Sequence, residues 1–381
     1  MKPTALILSS SLFFTLFTTS CASDNGNDPR ESDSTVVTST HDSVTNSDGS
    51  KALKPTGPKP GWAPGIDDEM LVVIEKLQSY GDKPTETLTA QEARKQHTPT
   101  DAVMDVMKEH NIPMPPSQVD TMGKDIPVSG GSIHARIYTP KSGDTSFPVI
   151  VYYHGGGWVF ADLNVYDASA KALAEQTGAI VVSVHYRQGP EHKFPTAHND
   201  AFAAYQWVVK NAASMKGNPK LLAVAGESAG GNLACNVSIM ARDKGITLPL
   251  YQVLVYPVAS NDMNSESYQK FAAAKPLNKP MMEWFAKNYL GEMTKAADPR
   301  ISLVKANLKG LPPTTIIAAE IDPLTTEGKI LSDKLKEAGV EVEYKLYSGV
   351  THEFFGMATV LADAKDAQAL ASSKLKTAFK K

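Results

Sequence analysis

Two cysteines, Cys21 and Cys235, are all that 381 residues contain, so a disulfide framework is excluded whichever compartment the protein occupies. Neither sign of charge dominates: 38 basic against 41 acidic residues leave a formal charge of -3, and no nucleic acid partner is indicated. No G-K-[ST] follows a glycine loop, and the dinucleotide fingerprint G-x-G-x-x-G is missing, which argues against nucleotide cofactors. No cofactor and no metal is expected. No internal repeat is detectable, and no apolar run is long enough to cross a bilayer as a helix.

What is present begins at the N-terminus. Lys2 precedes an apolar stretch, residues 6–17, broken by Ser9, Ser10, Ser11 and Thr15, and small residues then lead to Cys21. This is the layout of a secretory signal peptide over residues 1–20. The segment Thr18-Thr19-Ser20-Cys21 resembles the lipobox of bacterial lipoproteins, with Thr18 standing where that family usually has Leu. The resemblance implies lipidation of Cys21, membrane attachment and export to the periplasmic face; Ser20-Cys21-Ala22 also fits an ordinary signal-peptidase site, with simple secretion. Residues 21–60 are rich in Ser, Thr, Asp, Asn and Gly, then Lys, Pro and Gly. Such a stretch buries too little to offset its ordering entropy, so it is expected to be a disordered tether.

Helical spacing of Met70, Leu71, Ile74 and Leu77 predicts an amphipathic helix over 67–80. Thr89 with Glu92 reads as a capping box opening a second helix, and 102–110 as a third. After Pro116 short β-type runs appear at 133–138, 149–153, 180–186, 221–225, 251–256, 314–319 and 340–346. Helix-length segments at 168–176, 197–210, 229–244 and 327–338 lie between the later runs. Apolar strands alternating with helices predict an α/β fold: a mostly parallel central sheet with helices on both faces. The organisation expected is a helical segment over 61–125 and an α/β domain over 126–381 with an insertion near 259–299, whose Met281, Met282, Trp284 and Phe285 fit core packing as well as a lid.

Two glycine motifs carry chemistry. The run 221–225 is followed by Gly226-Glu227-Ser228-Ala229-Gly230 and a helix-forming stretch. In this strand, turn, helix context the serine sits on a sharp strained turn that leaves no room for side chains two residues to either side. His154-Gly155-Gly156-Gly157-Trp158 directly follows the run 149–153. Glycines there let backbone N–H groups approach a substrate carbonyl and point at the oxygen that becomes negative. A flexible turn is the plainer reading of that loop.

Together with Tyr186-Arg187, Pro190-Glu191-His192, Asp322-Pro323-Leu324 and His352-Glu353-Phe354, these blocks stand in the order found in hormone-sensitive-lipase-like esterases. Over roughly residues 61–381 the chain resembles that family of α/β-hydrolases. The resemblance implies an α/β-hydrolase fold with a helical cap, a small-molecule ester substrate and a serine carboxylesterase acting on short to medium acyl chains. It implies Gly156 and Gly157 as oxyanion donors beside Ala229, with Gly155 as a further candidate; His154, which precedes Ser228 in the chain, reads as a structural hydrogen-bonding residue rather than a catalyst. Glu227 stands where the family commonly has Asp, near the nucleophile, while Gln188-Gly189 and Thr325-Thr326 depart from its usual loops.

Chain order adds an independent constraint. In such folds the triad runs serine, acid, histidine, and of nine histidines His352 alone follows Ser228. It is expected on a short loop after the run 340–346. Many carboxylates lie between the two, and both Glu320 and Asp322 end the run 314–319. The family block selects Asp322 as the acid, leaving Glu320 as a hydrogen-bonding partner behind it or as the acid itself. The reading is a serine hydrolase that forms an acyl-enzyme; an amidase, deacetylase or acyltransferase shares that chemistry. A non-catalytic small-molecule binder on the same fold is the alternative of a different class.

Overall fold

The computed structural model describes residues 53–143 and 146–380. The expected signal peptide, Cys21 and most of the expected tether lie outside the described residues. The end of that tether is a correction: Leu53 is buried, and Thr56 and Gly57 donate to the Glu75 carboxylate at 2.7–2.8 Å. One apolar anchor and a carboxylate that collects these donors order a short segment whose average composition reads as disordered.

The N-terminal helices are α1 (Asp68–Ser79), α2 (Ala90–Ala93) and α3 (Pro99–Glu109). Thr89 and Glu92 form the expected capping box. A second box, Thr98 with Asp101, opens α3 ahead of the expected residue 102, with Pro99 at a position where its missing N–H is harmless. Next come β1 (Val119–Val128), β2 (Gly131–Pro140), β3 (Phe147–Tyr153), α4 (Asp167–Thr177), β4 (Ile180–His185), α5 (Thr196–Asn211), β5 (Gly217–Glu227) and α6 (Ala229–Asp243). Then follow β6 (Gln252–Val255), α7 (Glu266–Lys270), α8 (Lys279–Leu290), β7 (Thr314–Ile321), α9 (Thr325–Glu337), β8 (Val342–Thr351) and α10 (Ala362–Phe379).

The strands form an eight-stranded sheet in the order β1-β2-β4-β3-β5-β6-β7-β8. Pairing is antiparallel at β1/β2 and β2/β4 and parallel from β4 to β8. Side chains of β3 alternate between two cores: Val149, Val151 and Tyr153 belong to the one that includes residues of α5, α6 and α9, while Ile150 and Tyr152 belong to the one that includes residues of α1, α3, α4 and α10. Both faces are covered, which is why the inner strands read as apolar runs.

Strand β1 escapes the sequence pattern. It is an edge strand whose side chains are mostly exposed, so period-two apolar alternation never develops. The expected boundary between residues 125 and 126 falls inside it. Helix α10 was equally unmarked, because its buried face is mostly alanine.

The cap joins two distant segments. Trp284 on α8 donates its indole N–H to the Leu88 carbonyl at 2.9 Å, and Arg94 forms a two-point ion pair with Glu191 at 2.8 Å per bond. Burial of Trp284 and Phe285 contributes roughly 1.5–3 kcal/mol for each such side chain.

Candidate active site

Strand β5 ends at Glu227 and α6 begins at Ala229, leaving Ser228 alone on the turn with φ 54° and ψ -118°. A serine held with positive φ is strained and needs a framework that over-determines it. Here Ser228 N–H donates to Val255 O at 2.9 Å, and its carbonyl accepts from Asn232 and Val258. The flanking glycines are forced by close approach. A Cβ on Gly230 would lie 2.0 Å from Tyr153 O, and one on Gly226 would lie 2.2 Å from Gly230 O.

The loop after β3 faces the same turn. Gly156 and Gly157 have φ of +89° and +58°, and added Cβ atoms would meet Phe160 O at 2.2 Å and the Phe285 ring at 2.1 Å. Both glycines line the cavity that holds Ser228, with Ala229 contributing the first N–H of α6, which the helix itself leaves unpaired. Gly155 is absent from that lining; it packs against Tyr166, and its carbonyl accepts from Tyr186 Oη at 3.1 Å and meets His154 Nδ1 at 2.8 Å. His154 is buried, with its ring stacked on Tyr186 at 4.4 Å. Burial, with His185 adding, pushes its pKa down to about 3, so the ring is neutral.

His352 and Asp322 meet at the carboxyl ends of β8 and β7. His352 Nδ1 lies 2.6 Å from Asp322 Oδ2, both side chains are buried, and Asp322 Oδ1 accepts from Leu324 N–H at 2.9 Å. The segment 347–351 is strand rather than the expected loop. Burial alone would lower the His352 pKa, but the charge and hydrogen bond of Asp322, with Glu353 and Glu227 adding, raise it above the ordinary value. Ser228 and His352 share the cavity wall without a direct hydrogen bond among the described residues, a looseness common before substrate binds.

Glu320 is a correction. Its Oε2 accepts from Gly349 N–H at 3.0 Å, pinning the irregularity between β7 and β8, and it makes no hydrogen bond to Asp322 or His352. Glu227 sits beneath the turn, where Tyr152 Oη donates to it at 2.5 Å and Tyr256 Oη donates to its other oxygen. Burial first, then the Glu353 charge, pushes its pKa up to about 7. Tyr256 in turn packs its ring against His352, centroids 4.4 Å apart, so Glu227 reaches the imidazole through a tyrosine. Thr325, in one of the departing loops, closes its turn by donating to Ala319 O at 2.7 Å and Asp322 O at 2.8 Å. Cys235 is buried, and desolvation pushes its thiol up to about 12, so it is inert.

Several residues around the site carried no assigned role in the sequence. Arg94 donates to Val159 O and Gly189 O, and Gln188 to Phe160 O and Ala161 O; together they hold the glycine loop. Glu353 lines the cavity beside His352 and accepts from Tyr166 Oη at 2.6 Å. The cavity measures about 610 Å³ and is roofed by cap residues including Thr98, Met281 and Phe285. A buried imidazole oriented by a carboxylate, a strained serine and paired glycine amides can together perform acyl transfer.

Comparison with known proteins agrees. Residues 150–356 match a family model described as the alpha/beta hydrolase fold. The chain is 37% identical over 259 residues to the carboxylesterase NlhH of Mycobacterium tuberculosis, covering 67% of this chain and 79% of that protein. It is 31% identical over 301 residues to an ethyl acetate hydrolase of Pseudomonas putida, covering 78% and 93%. Among solved structures, a thermostable esterase from Pseudomonas putida ECU1011 superimposes with a TM-score of 0.76 at 32% identity, over 83% of this chain and 98% of that one.

Proposed function

This chain belongs to the alpha/beta hydrolase fold family and hydrolyses carboxylic esters, and we propose that it does so as a hormone-sensitive-lipase-like serine esterase through Ser228, His352 and Asp322. The observation that carries this reading is the buried His352–Asp322 contact opening onto the cavity that also holds the strained Ser228. His352 Nε2 takes the Ser228 proton as Oγ attacks the ester carbonyl. The oxyanion is met by the N–H groups of Gly156, Gly157 and Ala229, and Asp322 stabilises the imidazolium without taking its proton. Collapse expels the alcohol, which leaves with the proton from His352, and water then repeats the sequence on the acyl-enzyme. His154 meets the Gly155 carbonyl and Glu227 anchors the Tyr152 and Tyr256 hydroxyls, and neither touches a reacting atom.

Acyl length follows from the cap. A cavity of about 610 Å³ closed by Met281 and Phe285 suits short and medium chains. With p-nitrophenyl esters of graded length, kcat/KM is expected to peak between about four and eight carbons and to fall at least about tenfold by sixteen. Equal rates on the longest chains would remove the length limit, and no hydrolysis at any length would remove the esterase.

The reading includes export and anchoring. Lys2, the apolar residues 6–17 and Cys21 at the end of the leader support lipidation of that cysteine at the periplasmic face of a bacterial membrane. Labelled fatty acid is expected on the full chain and not on Cys21→Ser, which is expected to leave the membrane fraction. Identical labelling and fractionation of the two would show that Cys21 is no anchor.

A further inference from the structure

Glu353 occupies a backbone conformation that L side chains rarely adopt. Its φ is +72°, a value natural to glycine, so a side chain there is retained against strain. The carboxylate is fixed by Tyr166 Oη, which donates to Oε1 at 2.6 Å. That same Oε1 lies 3.9 Å from His352 Nε2, the ring nitrogen that must exchange protons with Ser228 and with the leaving group. Oε2 accepts no hydrogen bond from the described residues, although the side chain is only 20% exposed and the residue lines the substrate cavity. Oε1 keeps a lone pair beyond its Tyr166 bond and Oε2 meets no donor among the described residues, so the carboxylate is open to a donor from whatever fills the cavity.

Resting on the serine-esterase reading, we propose that Glu353 is a catalytic residue that binds and orients the water which hydrolyses the acyl-enzyme. Two acceptors 3.9 Å apart are spanned by one water that donates to each at about 2.8 Å, and water alone among simple nucleophiles offers two hydrogens on its attacking oxygen. One hydrogen goes to His352 Nε2 as the water oxygen bonds to the acyl carbon and the carbonyl electron pair moves onto the oxyanion. The other stays on that oxygen, held by the Glu353 carboxylate, and leaves with the product carboxyl group. Collapse breaks the bond from the acyl carbon to Ser228 Oγ, which recovers the proton from His352. Burial pushes the Glu353 pKa up, against the charge of His352 and the Tyr166 hydrogen bond; protonated or not, the carboxyl group keeps an acceptor oxygen. An alcohol attacking the same acyl-enzyme has one hydrogen, which His352 takes, and gains nothing from Glu353.

The contrast between water and alcohol is the test. The full chain is given saturating p-nitrophenyl butyrate at a fixed methanol concentration, and butyric acid and methyl butyrate are quantified by gas chromatography. The ratio of ester to acid is a property of the acyl-enzyme and does not depend on the fraction of protein folded. It is expected to rise about tenfold in Glu353→Gly and about threefold in Glu353→Gln, whose amide is a weaker acceptor. Glycine suits the φ of this position, and glutamine keeps the size of the side chain, so folding does not limit the comparison. A ratio within twofold of wild type in both variants would overturn the proposal and leave Glu353 as packing for Tyr166. Wild-type nitrophenol release that Ser228→Ala reproduces would instead overturn the serine-esterase reading, and this proposal with it.

Discussion

Ser228→Ala is expected to lower kcat on p-nitrophenyl butyrate by roughly 10⁴- to 10⁶-fold with the fold intact. The side chain lost is a single hydroxyl that makes no hydrogen bond among the described residues, while the backbone contacts that hold the turn, Ser228 N–H to Val255 O and Ser228 O to Asn232 and Val258 N–H, are kept. Thermal unfolding should therefore stay close to wild type. Residual activity would come from the Gly156, Gly157 and Ala229 amides acting on directly attacking water. His352→Ala should cost about as much, and the double variant little more, because a nucleophile without its base and a base without its nucleophile are both idle. Rate losses below about tenfold at Ser228, measured on protein free of wild-type contamination, would mean that another group attacks the ester.

The interior of this fold was legible because both sheet faces are covered. Strands β3 to β7 carry apolar residues on every side, so their runs stand out, and the helices between them were legible as the helix-length segments that separate those runs. What stayed hidden was hidden for a physical reason: β1 has one neighbour and mostly exposed side chains, and α10 packs through alanines. At the site, glycine spacing and chain order singled out Ser228 and His352, since both follow from steric and topological necessity. Residues whose roles depend on distant partners left no local trace. Arg94 meets Glu191, and Tyr166 meets Glu353 across 187 positions; no pattern in either segment records the other. Glu353 stands inside the His352-Glu353-Phe354 block, but its φ of +72° is visible only in three dimensions. Glu320 and Asp322 show the opposite failure, two carboxylates at one strand end that local pattern cannot rank and three-dimensional pairing can.

That ranking gives the second large effect. Asp322→Asn is expected to lower kcat by about 10⁴-fold, whereas Glu320→Gln should stay within about twofold. Both oxygens of Asp322 accept, Oδ2 at His352 Nδ1 and Oδ1 at Leu324 N–H, and an amide cannot satisfy both. With its NH₂ toward His352 it forces the proton onto Nε2, where the base must be free; with its oxygen there, two N–H donors confront each other at Leu324. Glu320 uses one oxygen, toward Gly349 N–H, and the carbonyl of glutamine serves as well. The pH profile separates a lost base partner from a loosened loop. Asp322 raises the His352 pKa, so removing its charge lowers that pKa, and the acidic limb of the residual kcat/KM should move to lower pH. A loop defect would reduce the rate without moving the limb. If Glu320→Gln instead caused the greater loss and the shift, the acid would be Glu320, and its contact with Gly349 would have to break when substrate binds.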